Sequence, residues 1–186
     1  DWTQPHTPAT DIAARPELDS LGPIHWTPPT APGFSHADQN NKPVSLSDYK
    51  GNPLLLIFYL GHGCLHCSEQ LNALAARAKD FDNIHLPILA VSTDSLAELK
   101  KSQENYSTEG KDFPFPLVAD PEKSSFRKYA AHDDFENEPL HGTFLISATG
   151  HILWSDISAD PFMDIDFLLS ESKRLPPLHI SSSTHQ

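Results

Sequence analysis

A chain of 186 residues with 38% hydrophobic residues is long enough for one domain with a buried core and too short for two domains of ordinary size. Its 25 acidic and 13 basic residues give a formal net charge of −12, and no block of Lys or Arg could follow a phosphate backbone, so nucleic acid is not expected as a partner. The longest apolar run, residues 54–60, is far shorter than the roughly 20 residues of a membrane-spanning helix, so no membrane span is expected.

Composition divides the chain into three regions. Residues 1–30 are rich in proline and lack an apolar period, which is typical of a linker or a surface arm. Residues 31–175 carry the patterns of a folded domain, and residues 176–186 again lack a period and are predicted to form a tail. Because the chain begins with Asp1 rather than Met, we expect a processed export product or a segment of a longer polypeptide.

The first half of the domain predicts a hairpin, a strand and a helix. The segments "PGF" and "KPVSLSDY" flank the turn sequence "DQNN", which favours a small hairpin. Residues 54–60 form a continuous apolar run of strand length, which is typical of a central strand covered on both faces. Apolar residues then recur at intervals of three and four, and they predict one helix that carries the stripe Cys67, Leu71, Leu74, Ala75, Ala78 and Phe81.

Strands and helices alternate in the second half of the domain. Their predicted positions are a strand at 85–93, a helix at 94–106, a strand at 115–120, a helix at 121–130, two strands joined by a turn at 143–158, and a helix at 164–175. Asp94 or Ser95 is the expected cap of the first of these helices, and Pro121 suits the first turn of the second. This order predicts an α/β domain with a mixed central sheet and helices on both faces.

Both cysteines lie in "FYLGHGCLHCSEQL", in the loop between the central strand and the helix after it. In open α/β sheets, sites form at this carboxyl edge of the strands. Thiol–disulfide exchange needs a thiolate, and the N terminus of a helix near Cys67 brings N–H groups and a positive dipole end towards both sulfurs. His62 and His66 add positive charge when they are protonated. The spacing of Cys64 and Cys67 is therefore typical of a pair that cycles between dithiol and disulfide.

Two other interpretations remain open. The cysteines can be buried core thiols, although Gly61 and Gly63 break the apolar pattern around Cys64. Alternatively, the thiols and nearby imidazoles can hold a metal ion, since one CxxC supplies half of a four-cysteine zinc site and both ligand types suit Cu(I) or zinc. The candidate ligands are Cys64, Cys67, His62 and His141.

From about residue 31 to residue 175, the sequence resembles the thioredoxin-fold superfamily, and specifically the alkyl hydroperoxide reductase/thiol-specific antioxidant (AhpC/TSA) branch that includes the peroxiredoxins. The matching segments are "APGF", "VSLSDYKGNPLLLIFYL", "VSTDSLAELKK", "FPFPLVADPE" and "TFLISATGHI". This resemblance implies a thioredoxin-like fold and a redox-active CxxC centre.

The peroxiredoxin pattern matches at Cys67, which stands where that family has the cysteine that attacks peroxide. Three other catalytic positions differ from the pattern. Leu60 replaces a proline, Cys64 replaces a threonine that binds peroxide, and His141 replaces an arginine that steadies the thiolate.

The disulfide-exchanging relatives carry a CxxC in the same loop. The resemblance to them implies that Cys64 is the exposed nucleophile and Cys67 its more buried partner, and the CxHC form with His66 is typical of oxidants and isomerases. Alignment on "TFLI" also places His141 at the cis-proline position of thioredoxins, where it is expected beside the sulfurs as a proton donor or thiolate stabiliser.

The expected function is thiol–disulfide oxidoreductase activity of Cys64 and Cys67, with His66 and His141 as further catalytic residues and a protein thiol, such as a thioredoxin-type reductant, as partner. One alternative is a thiol peroxidase that reduces hydroperoxide, with Cys67 peroxidatic and Cys64 resolving. The other is a thioredoxin-like domain that binds copper or zinc; otherwise no cofactor is expected. Export to an oxidising compartment is favoured over the cytosol.

Overall fold

The computed structural model describes residues 27–106 and 112–174. The predicted tail at 176–186 and the first 26 residues of the predicted arm lie outside the described residues. The elements, in chain order, are β1 (Ser35–Ala37), β2 (Pro43–Ser45), a 3₁₀ helix (Leu46–Tyr49), β3 (Leu54–Tyr59), α1 (Leu65–Ala76), α2 (Ala78–Asn83), β4 (Ile88–Ser92), α3 (Leu96–Tyr106), β5 (Leu117–Ala119), α4 (Ser124–Lys128), β6 (His132–Asp133), β7 (Glu138–Pro139), β8 (His141–Ile146), β9 (Ile152–Ser158) and α5 (Ile165–Arg174).

β3 lies at the centre of a five-stranded sheet with the order β5-β4-β3-β8-β9. β4 runs parallel to β3 and β5 runs parallel to β4, whereas β8 is antiparallel to β3 and β9 is antiparallel to β8. β1 and β2 form the predicted antiparallel hairpin apart from this sheet. The prediction of an α/β domain with a mixed central sheet is confirmed.

Alternate side chains of β3 point into two cores on opposite faces of the sheet. Leu55, Ile57 and Tyr59 belong to the core that is covered by α1, α2, α3 and α5. The other three side chains of β3 belong to a second core, which includes Phe126 of α4 and Tyr129 just after it. Full burial of a large apolar side chain contributes roughly 1.5–3 kcal/mol, so this strand, buried along its whole length, fixes the position of the loop that follows it.

The helix predicted after the cysteines is divided in two. α1 ends at Ala76, Arg77 leaves the helical conformation with φ −108° and ψ 9°, and α2 follows. The guanidinium of Arg77 is bonded to Asp80 and, at 2.8 Å, to Asp166 of α5. The break keeps Phe81 in the same core as the apolar side chains of α1. All members of the predicted stripe except Ala78 pack there, but the prediction of a single helix is wrong.

α4 begins at Ser124 and not, as predicted, near Pro121. The residue before it, Lys123, has a left-handed backbone with φ 55°. The carboxylate of Asp120 accepts hydrogen bonds from the backbone N–H groups of Ser124 at 3.0 Å and Ser125 at 2.7 Å. Asp120 therefore satisfies the first N–H groups of the helix, which places the start of the helix beyond the proline.

Within the described ranges, no helix is both long enough and apolar enough to span a bilayer.

Candidate active site

The two cysteines are held at the point where β3 ends and α1 begins. Cys64 is the N-cap of α1, and its sulfur accepts a hydrogen bond from the backbone N–H of Cys67 at 3.2 Å. Cys64 and Cys67 form a disulfide with their Cα atoms 5.3 Å apart, a usual separation for such a bond. The sequence prediction that the two sulfurs can reach each other agrees with this geometry.

The two sulfurs differ in their access to solvent. Cys67 is 0% exposed and belongs to the core on the α1 face, whereas Cys64 is partly exposed and packs at the edge of that core. The sulfur of Cys67 also lies 3.4 Å from the backbone N of Leu60, which donates to it. An incoming thiolate can therefore reach Cys64, while Cys67 has a backbone donor that stabilises negative charge on it.

His141, the first residue of β8, brings an imidazole to the disulfide from the neighbouring strand. β8 pairs with β3 so that Gly142 lies opposite Phe58, which places His141 beside the end of β3. Its Nε2 atom is 3.2 Å from the sulfur of Cys67 and 3.8 Å from that of Cys64. The residue is only 4% exposed, so this imidazole contacts the sulfurs in the protein interior.

The other ring nitrogen of His141 fixes the tautomer. Nδ1 lies 2.8 Å from the backbone carbonyl of Ala159, and because a carbonyl only accepts, Nδ1 carries the hydrogen. Burial lowers the pKa of His141 below its usual value, and the hydrogen bond to Ala159 and the charge of Asp160 offset this only in part. In the neutral ring the lone pair of Nε2 therefore faces the two sulfurs, where it can accept a proton.

The two remaining candidate histidines lie elsewhere around the CxxC. His66 is exposed in the first turn of α1, and its Nδ1 is 3.8 Å from a carboxylate oxygen of Asp160. His62 lies in the loop before α1 and donates its backbone N–H to Asp94 at 2.7 Å. Among the described residues, the ligand atoms that gather within 4.8 Å of one another come from Cys64, Cys67 and His141, and His62 is not part of this group.

Asp94 and Thr93 hold the loop that precedes the cysteines, a role that the sequence did not reveal. The buried carboxylate of Asp94 accepts from the backbone of His62 and, at 2.9 Å, from the hydroxyl of Ser102, while Thr93 donates its hydroxyl to the carbonyl of Leu60 at 2.8 Å. Both residues follow β4, which neighbours β3. Their place at the carboxyl edge of the sheet is the available signal, whereas the local sequence pattern indicates only a helix cap at Asp94.

Gly61 allows Asp94 to approach this loop. Its φ of +84° lies in the left-handed region, and a Cβ atom at this position would overlap the carboxylate of Asp94.

Gln70 of α1 is buried and donates to the carbonyl of Phe162 at 3.0 Å. This bond ties α1 to the segment after β9, which supplies the carbonyl of Ala159 to His141.

A mixed sheet with a disulfide-forming CxxC at the N terminus of a helix defines a thioredoxin-like redox protein. Residues 29–155 match the AhpC/TSA family, and the chain belongs to that family. The resemblance found in the sequence is thereby confirmed.

Several proteins that this chain resembles in sequence are peroxiredoxins. The chain is 30% identical to peroxiredoxin 2 of Thermoplasma acidophilum over 67% of its own length and 62% of the relative's, and 28% identical to a peroxiredoxin of Thermoplasma volcanium over 67% and 61%. It thus spans less than two thirds of the length of either protein. It is also 31% identical to the mitochondrial thioredoxin-dependent peroxide reductase of Drosophila melanogaster, over 66% of this chain and 53% of that protein.

Solved structures confirm the thioredoxin-like fold. The peroxidoxin BcpB of Mycobacterium tuberculosis superposes with a TM-score of 0.70 at 22% identity, covering 81% of this chain and 97% of that one. A 2-Cys peroxiredoxin of Plasmodium vivax in its reduced state superposes with the same TM-score at 21% identity, covering 78% and 93%.

Proposed function

We propose that this protein is a thiol–disulfide oxidoreductase of the AhpC/TSA family that cycles Cys64 and Cys67 between dithiol and disulfide. The observation that carries the proposal is the bonded pair itself, in which one sulfur is partly exposed and the other is fully buried. This asymmetry suits a redox pair, because the partner thiolate attacks the accessible sulfur while the buried sulfur departs as a thiolate and later re-forms the disulfide.

In the reductive direction, a partner thiolate attacks the sulfur of Cys64. The bond between the two cysteines breaks, a mixed disulfide forms between the partner and Cys64, and Cys67 leaves as a thiolate. The N–H of Leu60 donates to the sulfur on which this charge develops, and once that sulfur is protonated its S–H can donate to the Nε2 lone pair of His141. A second thiolate of the partner then attacks the partner's own bridging sulfur and releases Cys64. Two electrons pass from the partner dithiol to the pair, and the partner becomes a disulfide.

The proposed partner is a protein dithiol of the thioredoxin type. Its support comes from the names of relatives, which include a thioredoxin-dependent peroxide reductase from Drosophila melanogaster and a thioredoxin peroxidase from Fasciola hepatica, 28% identical over 70% of this chain. The exposed Leu65 between the two cysteines offers an apolar contact at the point of attack.

A second candidate function uses hydroperoxide as the oxidant of the same pair. The thiolate of Cys67 would attack the peroxide O–O bond, giving a sulfenic acid and an alcohol or water, and the thiol of Cys64 would then form the disulfide with loss of water. Two observations favour this function: the peroxiredoxin relatives, and the placement of both the Leu60 N–H and His141 at the sulfur of Cys67. The complete burial of Cys67 favours disulfide exchange instead.

One experiment tests the main proposal. Oxidised protein is mixed with reduced thioredoxin, thioredoxin reductase and NADPH, and NADPH consumption is recorded. We expect one NADPH to be consumed per disulfide in the wild type and no exchange in Cys64→Ser. If a small dithiol reduces the Cys64–Cys67 disulfide but reduced thioredoxin does not, the proposed partner is wrong. If neither reagent reduces the disulfide, the redox function is wrong.

A parallel experiment separates the two oxidants. The reduced protein is mixed in stopped flow with hydrogen peroxide or with an oxidised protein dithiol, and thiol loss is measured. Disulfide exchange predicts rapid loss only with the protein disulfide. Rapid loss with peroxide that survives in Cys64→Ser and disappears in Cys67→Ser would instead establish the peroxidase.

A further inference from the structure

Three soft or borderline ligand atoms converge at the disulfide. The sulfurs of Cys64 and Cys67 and the Nε2 of His141 lie within 4.8 Å of one another, and two of the three residues are buried. Reduction of the disulfide by a dithiol adds two electrons and two protons and yields two thiols. Both sulfurs then become available to a single ion placed between them and the imidazole.

The orientation of His141 is the one that a metal ligand requires. Metal-binding histidines usually donate their second ring N–H to a carbonyl or carboxylate, which fixes the ring and raises the basicity of the ligating nitrogen. In His141 this donor is Nδ1 and its acceptor is the carbonyl of Ala159, at 2.8 Å. The lone pair of Nε2 is consequently directed at the sulfurs before any ion arrives.

Backbone donors also prepare both sulfurs to carry negative charge. The N–H of Cys67 donates to Cys64 at 3.2 Å, and the N–H of Leu60 donates to Cys67 at 3.4 Å. Because metals bind thiolates rather than thiols, donors that stabilise thiolates favour metal binding.

We propose that the reduced protein binds one Cu(I) ion through Cys64, Cys67 and His141. Thiolate and imidazole ligands select Cu(I) or zinc, and structural zinc sites have four protein ligands almost without exception. The ligand group in the described part of the chain has three members and excludes His62. This number favours Cu(I), which accepts three ligands, over zinc. Binding displaces the two thiol protons to solvent and leaves the oxidation state of copper unchanged.

This site goes beyond the proposed function and rests on it only in requiring that the disulfide be reducible. Copper binding and disulfide formation use the same sulfur electron pairs, so they exclude each other. A protein loaded with Cu(I) should therefore resist oxidation by a protein disulfide, whereas the metal-free dithiol is oxidised.

The test is an anaerobic titration of the reduced full chain with Cu(I) in the presence of bicinchoninate, which is coloured when it holds the ion. We expect the wild type to withdraw one equivalent per chain. Cys64→Ser and Cys67→Ser should lose this binding, and His141→Asn should weaken it by at least about tenfold, since loss of a ligand should cost no less than loss of an outer partner. His151→Asn and His62→Asn are the matched controls and should bind as the wild type does.

X-ray absorption of the wild-type copper complex supplies a measurement that does not depend on the folding of variants, and two sulfur neighbours and one nitrogen are expected. The three-ligand site would be overturned by any of three results. These are no withdrawal of Cu(I) from bicinchoninate, an absorption spectrum with two sulfur neighbours and no nitrogen, or an effect of His62→Asn on copper binding equal to that of His141→Asn. Displacement of Cu(I) by equimolar zinc would overturn the choice of ion. Exchange with reduced thioredoxin is measured on the oxidised form of the same preparation, so loss of copper binding with intact exchange refutes this proposal alone.

Discussion

The Nε2 atom of His141 lies 3.2 Å from the sulfur of Cys67, closer than to the sulfur of Cys64 at 3.8 Å. Cys67 is also the sulfur that is sealed from solvent. In the proposed exchange, the imidazole is thus paired with the cysteine that leaves when a partner attacks Cys64. This arrangement makes His141 the natural acceptor of the Cys67 proton in the reduced state, with Nδ1 anchored to Ala159.

Replacement of His141 by Asn should make the disulfide harder to reduce. The variant loses the nitrogen that hydrogen-bonds to reduced Cys67, while the disulfide itself loses little, so the dithiol state becomes relatively less stable. We expect the equilibrium constant for reduction, measured against a dithiothreitol redox buffer without metal, to fall by about tenfold, equivalent to about 30 mV. His151→Asn serves as the control, and an equilibrium constant equal to that of the wild type in His141→Asn would remove His141 from the proposed mechanism.

Asp94 should contribute more to stability than its hydroxyl partner does. Asp94→Ala leaves the N–H of His62 and the hydroxyl of Ser102 without their carboxylate acceptor, whereas Ser102→Ala removes only one bond. We expect the free energy of unfolding in urea to fall by about 2–3 kcal/mol in the first variant and by about 1 kcal/mol in the second. Equal losses in the two variants would show that the bond to the loop of His62 contributes nothing.

The two glycines of the active-site loop offer a matched pair of substitutions. Gly61 and Gly63 both have a positive φ, +84° and +93°, but only at Gly61 would a Cβ overlap the carboxylate of Asp94. Gly63→Ala should cost about 1 kcal/mol of backbone strain, and Gly61→Ala should cost at least about 2 kcal/mol because steric overlap adds to that strain. Urea unfolding measures both, and a smaller loss in Gly61→Ala than in Gly63→Ala would contradict the close approach of Asp94.

The features that the sequence predicted well depend on neighbours along the chain. The continuous apolar run of β3 and the spacing of Cys64 and Cys67 are local patterns, and so the central strand and the bonded pair followed from them. The contact of His141 with Cys67 spans 74 positions, and only the alignment with a family placed it at the site. The catalytic roles of these residues and of His66 stay predictions, as does export to an oxidising compartment.

Other contributions to the site have no side-chain signal at all. Ala159 acts through its backbone carbonyl, and Leu60 acts through its N–H, so neither residue type carries information about the chemistry. The sequence pattern does not predict the break at Arg77 for a related reason, since one of the two carboxylates bonded to its guanidinium belongs to Asp166 on a distant helix. The periodicity of apolar residues along one segment carries no information about which residue of a distant segment will bond to it.

Acidification should destabilise the oxidised protein through a histidine outside the disulfide site. His36 is half-buried, with its Nε2 atom 2.7 Å from the hydroxyl of Ser125. Burial lowers its pKa below the usual value of 6.5, the carboxylate of Asp120 raises it in part, and Lys128 lowers it. Between the lowered pKa and 6.5 the unfolded chain binds more protons than the folded chain does. Stability is therefore fully present above pH 6.5 and is lost as the pH falls through the folded pKa.

The His36→Gln variant measures this contribution directly. Urea unfolding of the oxidised protein, followed from neutral pH to about one unit below 6.5, should show a smaller loss of stability in the variant than in the wild type. His141, whose pKa is also lowered by burial, supplies a loss of the same sign that remains in His36→Gln. His66→Gln, a substitution at an exposed histidine, is measured alongside as the control. Parallel curves for wild type and His36→Gln would show that His36 is protonated equally in the folded and unfolded states, contrary to the burial seen around its ring.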